Sequence, residues 1–297
     1  MFDAYISYAE EKGRAFNTLR TYRGQFSKYL QKFYGRYDMT TVTYEEHQNF
    51  LLYLKAQKVK PATRNRIRSL MSVIHSVAIR HRLFQGAFKT NPFECIEKAL
   101  EPKEAIEYFG RLEMDTFLEK NRESHYYPLL LLLLKTGLRI GEALGIHGEQ
   151  IDKTHGMLIV DRQFDDNQNK VVKRTKAKKS RVIYLIDEVL AALPNRLGSL
   201  FYKPDGSRVT SNYFRKFIMP QACKNAGVKE VNPHGLRHTF AANYLMDGGS
   251  LWDLSKILGH HSVEITERYY AHFSLEHIKS RMKPVERRLN LVEGKVA

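Results

Sequence analysis

His260 to His272 reads HHSVEITERYYAH, a helical run behind Gly259 that carries two adjacent phenols, Tyr269 and Tyr270, after two histidines. Ser262 is its predicted N-cap. Upstream, Ser250 to Asp253 predicts a capping box before a short helix ending near Gly259. Further back stands NPHGLRHTF, Asn232 to Phe240, where Pro233 and Gly235 bracket His234 and predict a turn into a helix from Arg237 to Leu245. Further still, Tyr126 to Lys135 predicts a buried helix ending at Thr136-Gly137, and a new helix starts near Arg139 and runs through Leu144. Arg139 therefore sits at a bend between two helices. Such a bend suits a fixed phosphate clamp, or an arginine that caps the preceding helix.

Between these helices the hydrophobic period shortens. Met157 to Val160, Val171-Val172 and Arg181 to Leu185 read as strands, with the basic tract Lys173 to Ser180 as the tip joining the last two in a small antiparallel sheet. A basic tip can reach into a groove, and a charge run is also the ordinary make-up of a solvated turn. Helices are expected over Leu112 to Lys120, Asp187 to Leu193 and about Thr210 to Asn225.

The first hundred residues predict four short helices. Phe2 to Ala9 is one, and a second follows Asn17 as N-cap. Thr43 to Glu46 is a capping box before the third. Pro61 opens the fourth, which runs to about Arg82 and carries Arg64, Arg66, Arg68 and Arg80. Asn91-Pro92 ends this region, with a short continuation expected over Cys95 to Ala99. We expect a helical domain over 1–98, a linker over 99–110 and a second domain over 111–285. A tail, 286–297, would pack on a neighbouring protomer.

The 297 residues suffice for two domains, each with a core. A formal net charge of +16, from 48 Lys and Arg against 32 Asp and Glu, is spread along the chain and points to a polyanionic partner. Cys95 and Cys223 are far apart and in no CxxC arrangement, which fits a reducing compartment and argues against a disulfide scaffold. The N-terminus lacks a signal-peptide pattern, and Leu129 to Leu134, the longest apolar run, is too short to span a bilayer. His234 and His238 stand at a spacing that can ligate metal, yet no HExxH pattern accompanies them, so neither metal nor cofactor is expected.

TGLRIGEALGI (136–146), HGLRHTF (234–240) and LGHHSVEITERYYAH (258–272) in this order closely resemble the tyrosine recombinase, or phage integrase, family. Size and layout are most like the simple Xer-like or mobile-element integrases. The resemblance implies a mainly α, two-domain protein: a four-helix SAM-like core-binding domain, then an α+β catalytic domain with a small antiparallel sheet. It implies Arg139, His234, Arg237, His260 and Tyr269 as catalytic, with Glu142 and His238 in support. Lys176, seven residues before Ile183, matches the hairpin lysine, with Lys173 and Lys178 as alternatives. Tyr270 is the competing nucleophile. Arg64, Arg66, Arg68, Lys173, Arg174, Lys178 and Lys179 are the candidate DNA contacts.

What the resemblance implies is site-specific recombination without ATP, metal or cofactor, through a 3′-phosphotyrosine. Two guanidiniums would hold the phosphate oxygens, His234 would accept the phenol proton, Lys176 would protonate the leaving 5′ oxygen, and His260 would donate a hydrogen bond to the phosphate. It further implies a homotetramer on two duplexes with inverted-repeat core sites, scope for accessory DNA-bending or directionality factors, no membrane, and a cytoplasmic, nucleoid-associated setting in a prokaryote or phage. Topoisomerase-IB-like relaxation and a non-catalytic DNA-binding regulator remain the alternatives.

Overall fold

The amphipathic spacing of the first hundred residues becomes four helical runs. They are α1 (Phe2–Glu11), α2 (Phe16–Gln25) continuing through a π turn (Phe26–Leu30) into α3 (Gln31–Tyr34), α4 (Tyr44–Ala56) and α5 (Pro61–Arg80). These bounds come from a computed structural model, which describes residues 1–82, 89–102, 106–173 and 180–275. The chain divides into two units, Met1–Glu104 and Ala105–Ala297. The basic residues Arg174, Lys176, Lys178 and Lys179 and the tail 286–297 lie outside the described residues.

In the first unit Thr43 caps α4 as its spacing requires. The Glu46 N–H donates to Thr43 Oγ1 at 3.3 Å and the Thr43 N–H to Glu46 Oε2 at 2.7 Å. Two expectations are corrected. Ala15, not Asn17, precedes α2, and Asn17 lies inside the helix, its carbonyl accepting from Thr21 Oγ1 at 2.8 Å. Cys95 to Ala99 is not helical. After a 3₁₀ turn (Pro92–Glu94), side chains of α5 take the backbone groups that a helix would pair internally. Arg68 Nε donates to the Ile96 carbonyl at 2.6 Å, and Asn65 pairs with both the N–H and the carbonyl of Ala99 at 2.8 Å.

Phe50, Leu54, Ile67, Ile74 and Phe93 form the centre of this unit. Two histidines are buried with them. His47 Nδ1 meets the Tyr34 hydroxyl at 2.8 Å, and His75 Nδ1–H donates to the Met71 carbonyl at 2.9 Å. Burial, then the neighbouring His75, pushes the pKa of His47 down to about 4, and burial also lowers that of His75.

The second unit is built on α7 (Tyr127–Thr136), whose Leu129 to Leu134 are all buried. Around it pack α6 (Arg111–Lys120), α9 (Asp187–Ala192) and α12 (Pro233–Met246). The remaining helices are α8 (Ile140–Leu144), α10 (Ser211–Tyr213) continuing through a π turn (Phe214–Ile218) into α11 (Met219–Ala226), α13 (Leu251–Leu258), and α14 over 263–275. No described helix is long and apolar enough to cross a membrane. The predicted start of α12 is corrected. Asn232 Oδ1 accepts from the N–H groups of His234 and Gly235 at 2.8 and 3.1 Å, so the helix begins at Pro233 and His234 lies on its first turn.

The strands are β1 (Ile151–Asp152), β2 (Met157–Val160), β3 (Arg162–Asp165), β4 (Lys170–Lys173) and β5 (Arg181–Tyr184). The expected β4–β5 pairing is also corrected. β2 lies between β1 and β5, with Leu158 opposite Ile183 and Val160 opposite Arg181, whereas β4 pairs with β3 in a separate ribbon. The unread β3 supplies β4 with a partner across a short turn, 166–169, which Asn169 closes at φ 47. β5 takes an edge of β2 instead.

Because His47 holds its proton less tightly when folded, the unfolded chain binds more protons between its ordinary value of 6.5 and about 4. Stability is therefore full above pH 6.5 and falls as pH drops toward 4, by an amount on the order of 3 kcal/mol from this group. Urea denaturation followed by circular dichroism across that range is expected to show the slope, to which the other histidines of lowered pKa add, and His47→Gln to make it shallower by this group's share.

Candidate active site

The C-terminal ends of two helices meet at Arg237 of a third. α7 stops at Gly137, which adopts the left-handed conformation (φ 63, ψ 20), and α13 stops at Gly259 in the same way (φ 68, ψ 43). A Cβ at Gly137 would come within 2.5 Å of the Phe240 ring and 2.8 Å of Leu258, so only glycine lets the chains approach. Arg237, on α12 and only 2% exposed, enters this junction. Its Nη1 donates to the Gly137 carbonyl and its Nη2 to the Leu258 carbonyl, each at 2.8 Å. Helix C-termini present unpaired carbonyls and negative dipole ends, the surroundings a buried cation requires.

His260 follows Gly259 and faces the same guanidinium, with Nε2 at 3.0 Å from Arg237 Nη2 and Nδ1 at 2.8 Å from Thr266 Oγ1. A guanidinium only donates, so Nε2 accepts and Nδ1 carries the proton. Burial, then Arg237, Arg139 and Arg181, holds the His260 pKa down at about 4. The neutral ring thus has both nitrogens engaged, and the N–H expected to face a phosphate points instead to Thr266.

Arg139 stands at the N-terminus of α8. Its N–H and Nη1 donate to Glu142, each at 3.1 Å. The Arg139 side chain is 40% exposed and Glu142 1%, so the carboxylate anchors a guanidinium that remains open to a ligand. Sequence reading missed Arg181, which reaches the same carboxylate from β5 at 2.7 Å. Strand parity puts Arg181 on the inward face with buried Ile183, which gives its direction but neither its partner nor its role.

His234 is exposed on the first turn of α12, with its pKa lowered by desolvation, then by the charges of Arg237 and Arg139. His238, one turn on, packs edge-on to it at 5.6 Å between ring centroids. Its Nδ1 meets the Tyr270 hydroxyl at 2.6 Å. Burial, then His234 and Arg237, pushes the His238 pKa down to about 4.

The phenols divide by helix face. Thr266, Tyr270 and Phe273 form the buried stripe of α14, and Tyr270 is 2% exposed. Burial raises the Tyr270 pKa to about 12, against the lowering effect of Arg237 and Arg139. Tyr269, about 100° around the helix, is 48% exposed.

The fold therefore gathers Arg139, Glu142, His234, Arg237, His238 and His260, with Tyr270 inside and Tyr269 at the rim. Lys173 is exposed at the end of β4. In the first unit Arg66 is exposed, Arg64 half-buried, and Arg68 spends its guanidinium on the Phe93 and Ile96 carbonyls. Among the described residues no three His, Cys, Asp or Glu side chains gather as a metal site.

Comparison with known proteins agrees with this architecture. The phage integrase family model matches residues 112–277, and the model of the phage integrase N-terminal SAM-like domain matches 2–82. The tyrosine recombinase XerC of Thermodesulfovibrio yellowstonii is 24% identical over 281 residues, covering 90% of this chain and 89% of that protein. The tyrosine recombinase XerD of Oceanobacillus iheyensis is 26% identical over 272 residues, with 87% and 89% covered. The Tn1549 transposon integrase, solved in complex with a circular intermediate DNA, superposes with a TM-score of 0.79 at 20% identity, over 95% of this chain and 98% of that one. The chain belongs to the phage integrase family of tyrosine recombinases.

Arg237→Lys is expected to leave at least one of the Gly137 and Leu258 carbonyls without its donor, since one ammonium does not reproduce the planar fork. The cost is about 1–3 kcal/mol per abandoned carbonyl, read as a lower urea midpoint at unchanged slope.

Proposed function

We propose that the protein is a site-specific DNA recombinase that cleaves and rejoins strands through a 3′-phosphotyrosine on Tyr269, in integration, excision or resolution. The observation that carries this reading is the convergence of Arg139 and Arg237 with His234 beside a helix whose Tyr269 phenol is accessible. A buried phenol tied to His238 is poorly placed to meet a duplex, which favours Tyr269 over Tyr270.

Tyr269 Oη attacks the phosphorus, and its proton passes to His234, whose depressed pKa keeps it neutral and able to accept. Charge growing on the non-bridging oxygens is met by Arg139 and Arg237, each donor lost costing about 3 kcal/mol of barrier. The bond to the 5′ oxygen breaks, and Lys176 supplies its proton. The products are a 3′-phosphotyrosine and a 5′ hydroxyl. Attack by a 5′ hydroxyl of a partner duplex reverses the step, so the phosphoryl bond is conserved and neither ATP nor metal enters. His260 orients Arg237 through Nε2.

Residues 1–98 serve as the core-binding domain, joined by 99–110 to the catalytic domain, 111–285. Arg64, Arg66, Lys173, Arg174, Lys178 and Lys179 supply phosphate contacts, which position a protein on DNA without reading sequence. The assembly is a homotetramer on two duplexes with inverted-repeat core sites, the tail 286–297 packing on a neighbour. The circular intermediate DNA held by the Tn1549 integrase supports the choice of substrate.

Nicked duplexes from DNA flanking the gene, incubated with protein and EDTA, test the reading. A denaturant-resistant adduct is expected from wild type and Tyr270→Phe and none from Tyr269→Phe. Absence of adduct on DNA that wild type binds and bends would favour the regulator, and adduct with relaxation but no exchange the topoisomerase. Lys176→Ala is expected to slow adduct formation by about 10²–10⁴-fold on ordinary DNA. It should recover on a duplex with sulfur at the 5′ bridging position, because a thiolate leaves unprotonated.

A further inference from the structure

Arg181 opens β5, and its side chain is only 9% exposed. Its guanidinium joins two segments that the proposed chemistry uses. Nη2 and Nη1 donate to the Glu142 carboxylate at 2.7 and 3.3 Å, and Nε donates to the Ile257 carbonyl at 2.7 Å. Ile257 lies in the last turn of α13, three residues before His260. Gly259 makes the contact possible, because a Cβ there would stand 2.9 Å from Arg181 Nη1 and 3.1 Å from Cζ.

Glu142 therefore carries two cations. One of them, Arg139, is 40% exposed, and the other is walled in. A carboxylate held by Arg139 alone, through one backbone N–H and one guanidinium nitrogen, would keep freedom to rotate about the backbone bond, and its whole negative charge would compete with a phosphate for that guanidinium. The Arg181 fork removes both problems. It fixes the carboxylate plane from behind, as bidentate arginine pairs do, and takes up part of its charge. Burial, then repulsion from Arg139, lowers the pKa of Arg181 to about 10, which leaves it a cation at neutral pH.

We infer that Arg181 is a positioning residue for strand cleavage. It holds Glu142 and the α13 terminus together so that Arg139 and His260 are preset before a phosphate arrives. The inference rests on the reading of Arg139 as a phosphate-binding group. Such presetting matters because a small misplacement of a catalytic group costs about a hundredfold in rate.

The test uses full-length wild type, Arg181→Lys, Arg181→Met, Arg139→Ala and the Arg139→Ala/Arg181→Met double variant. The probe is a nicked duplex on which wild type forms an adduct. Thermal melts, DNA affinity and the single-turnover adduct rate at saturating protein are measured for each. The rate is measured again with a neutral methylphosphonate at the cleaved position. Arg181→Lys keeps the charge and stem without the fork. It is expected to bind DNA as wild type does and to cleave about a hundredfold more slowly. The deficit should shrink on the methylphosphonate, where no charge awaits Arg139, and the double variant should be no slower than Arg139→Ala alone. Arg181→Lys cleaving at the wild-type rate overturns the inference. So do losses that multiply with those of Arg139→Ala, and so does loss of the cooperative melt in both Arg181 variants, which would assign the residue to folding alone. If wild type forms no adduct on any duplex it binds, the recombinase reading fails and takes this inference with it.

Discussion

A guanidinium 2% exposed to solvent is the constraint on which the catalytic unit depends. Burying a charge is tolerated only where oriented groups replace the lost water. Arg237 has such groups in the Gly137 and Leu258 carbonyls, each at the C-terminal end of a helix. For both to reach one side chain, α7, α12 and α13 must end or pass within a hydrogen bond of each other. The left-handed glycines allow this, beside the buried leucines of α7. Neutral His260 completes the shell by accepting from Nη2.

The second arginine centre is arranged on a different principle. Arg139 and Arg181 share the buried carboxylate of Glu142, so this pairing holds more positive charge than negative. A buried ion pair is weak evidence for stability, because desolvation offsets the Coulombic gain. Its value here lies in geometry. One cation is locked, and the other stays open to solvent. Burial and the guanidinium charges hold down the pKa of His260, burial with His234 and Arg237 that of His238, and partial desolvation beside Arg237 and Arg139 lowers that of the more exposed His234.

The tyrosine pair shows how helix geometry sorts chemically identical groups. Adjacent residues on a helix differ by about 100° in direction, so a stripe that buries Thr266, Tyr270 and Phe273 turns Tyr269 outward. Tyr270 then belongs to the core, its hydroxyl satisfied by His238, and Tyr269 is left as the phenol that a large substrate can meet. The same stripe was present in the sequence at a spacing of four and three. Nothing in the sequence distance from His260 separates the phenols on physical grounds, which is why family resemblance and burial are needed together.

Local features were legible in the chain before any folding. The Thr43 and Ser250 caps, the glycine ends of α7 and α13, the proline opening α5 and the buried leucine run all follow from interactions within a few residues. The sequence also placed Arg139, His234, Arg237 and His260 in motifs that mark the family. The rest depends on partners distant in the chain. β4 and β5 were both legible as strands, but their pairing was not, because a strand edge accepts whichever neighbour the fold delivers. Arg181 reads as an ordinary strand residue until Glu142, 39 positions away, and Ile257, 76 positions away, are brought to it. Likewise, no local rule gives the direction of the two His260 nitrogens. That direction is set by where Arg237 and Thr266 stand, and those positions exist only once three helices have packed.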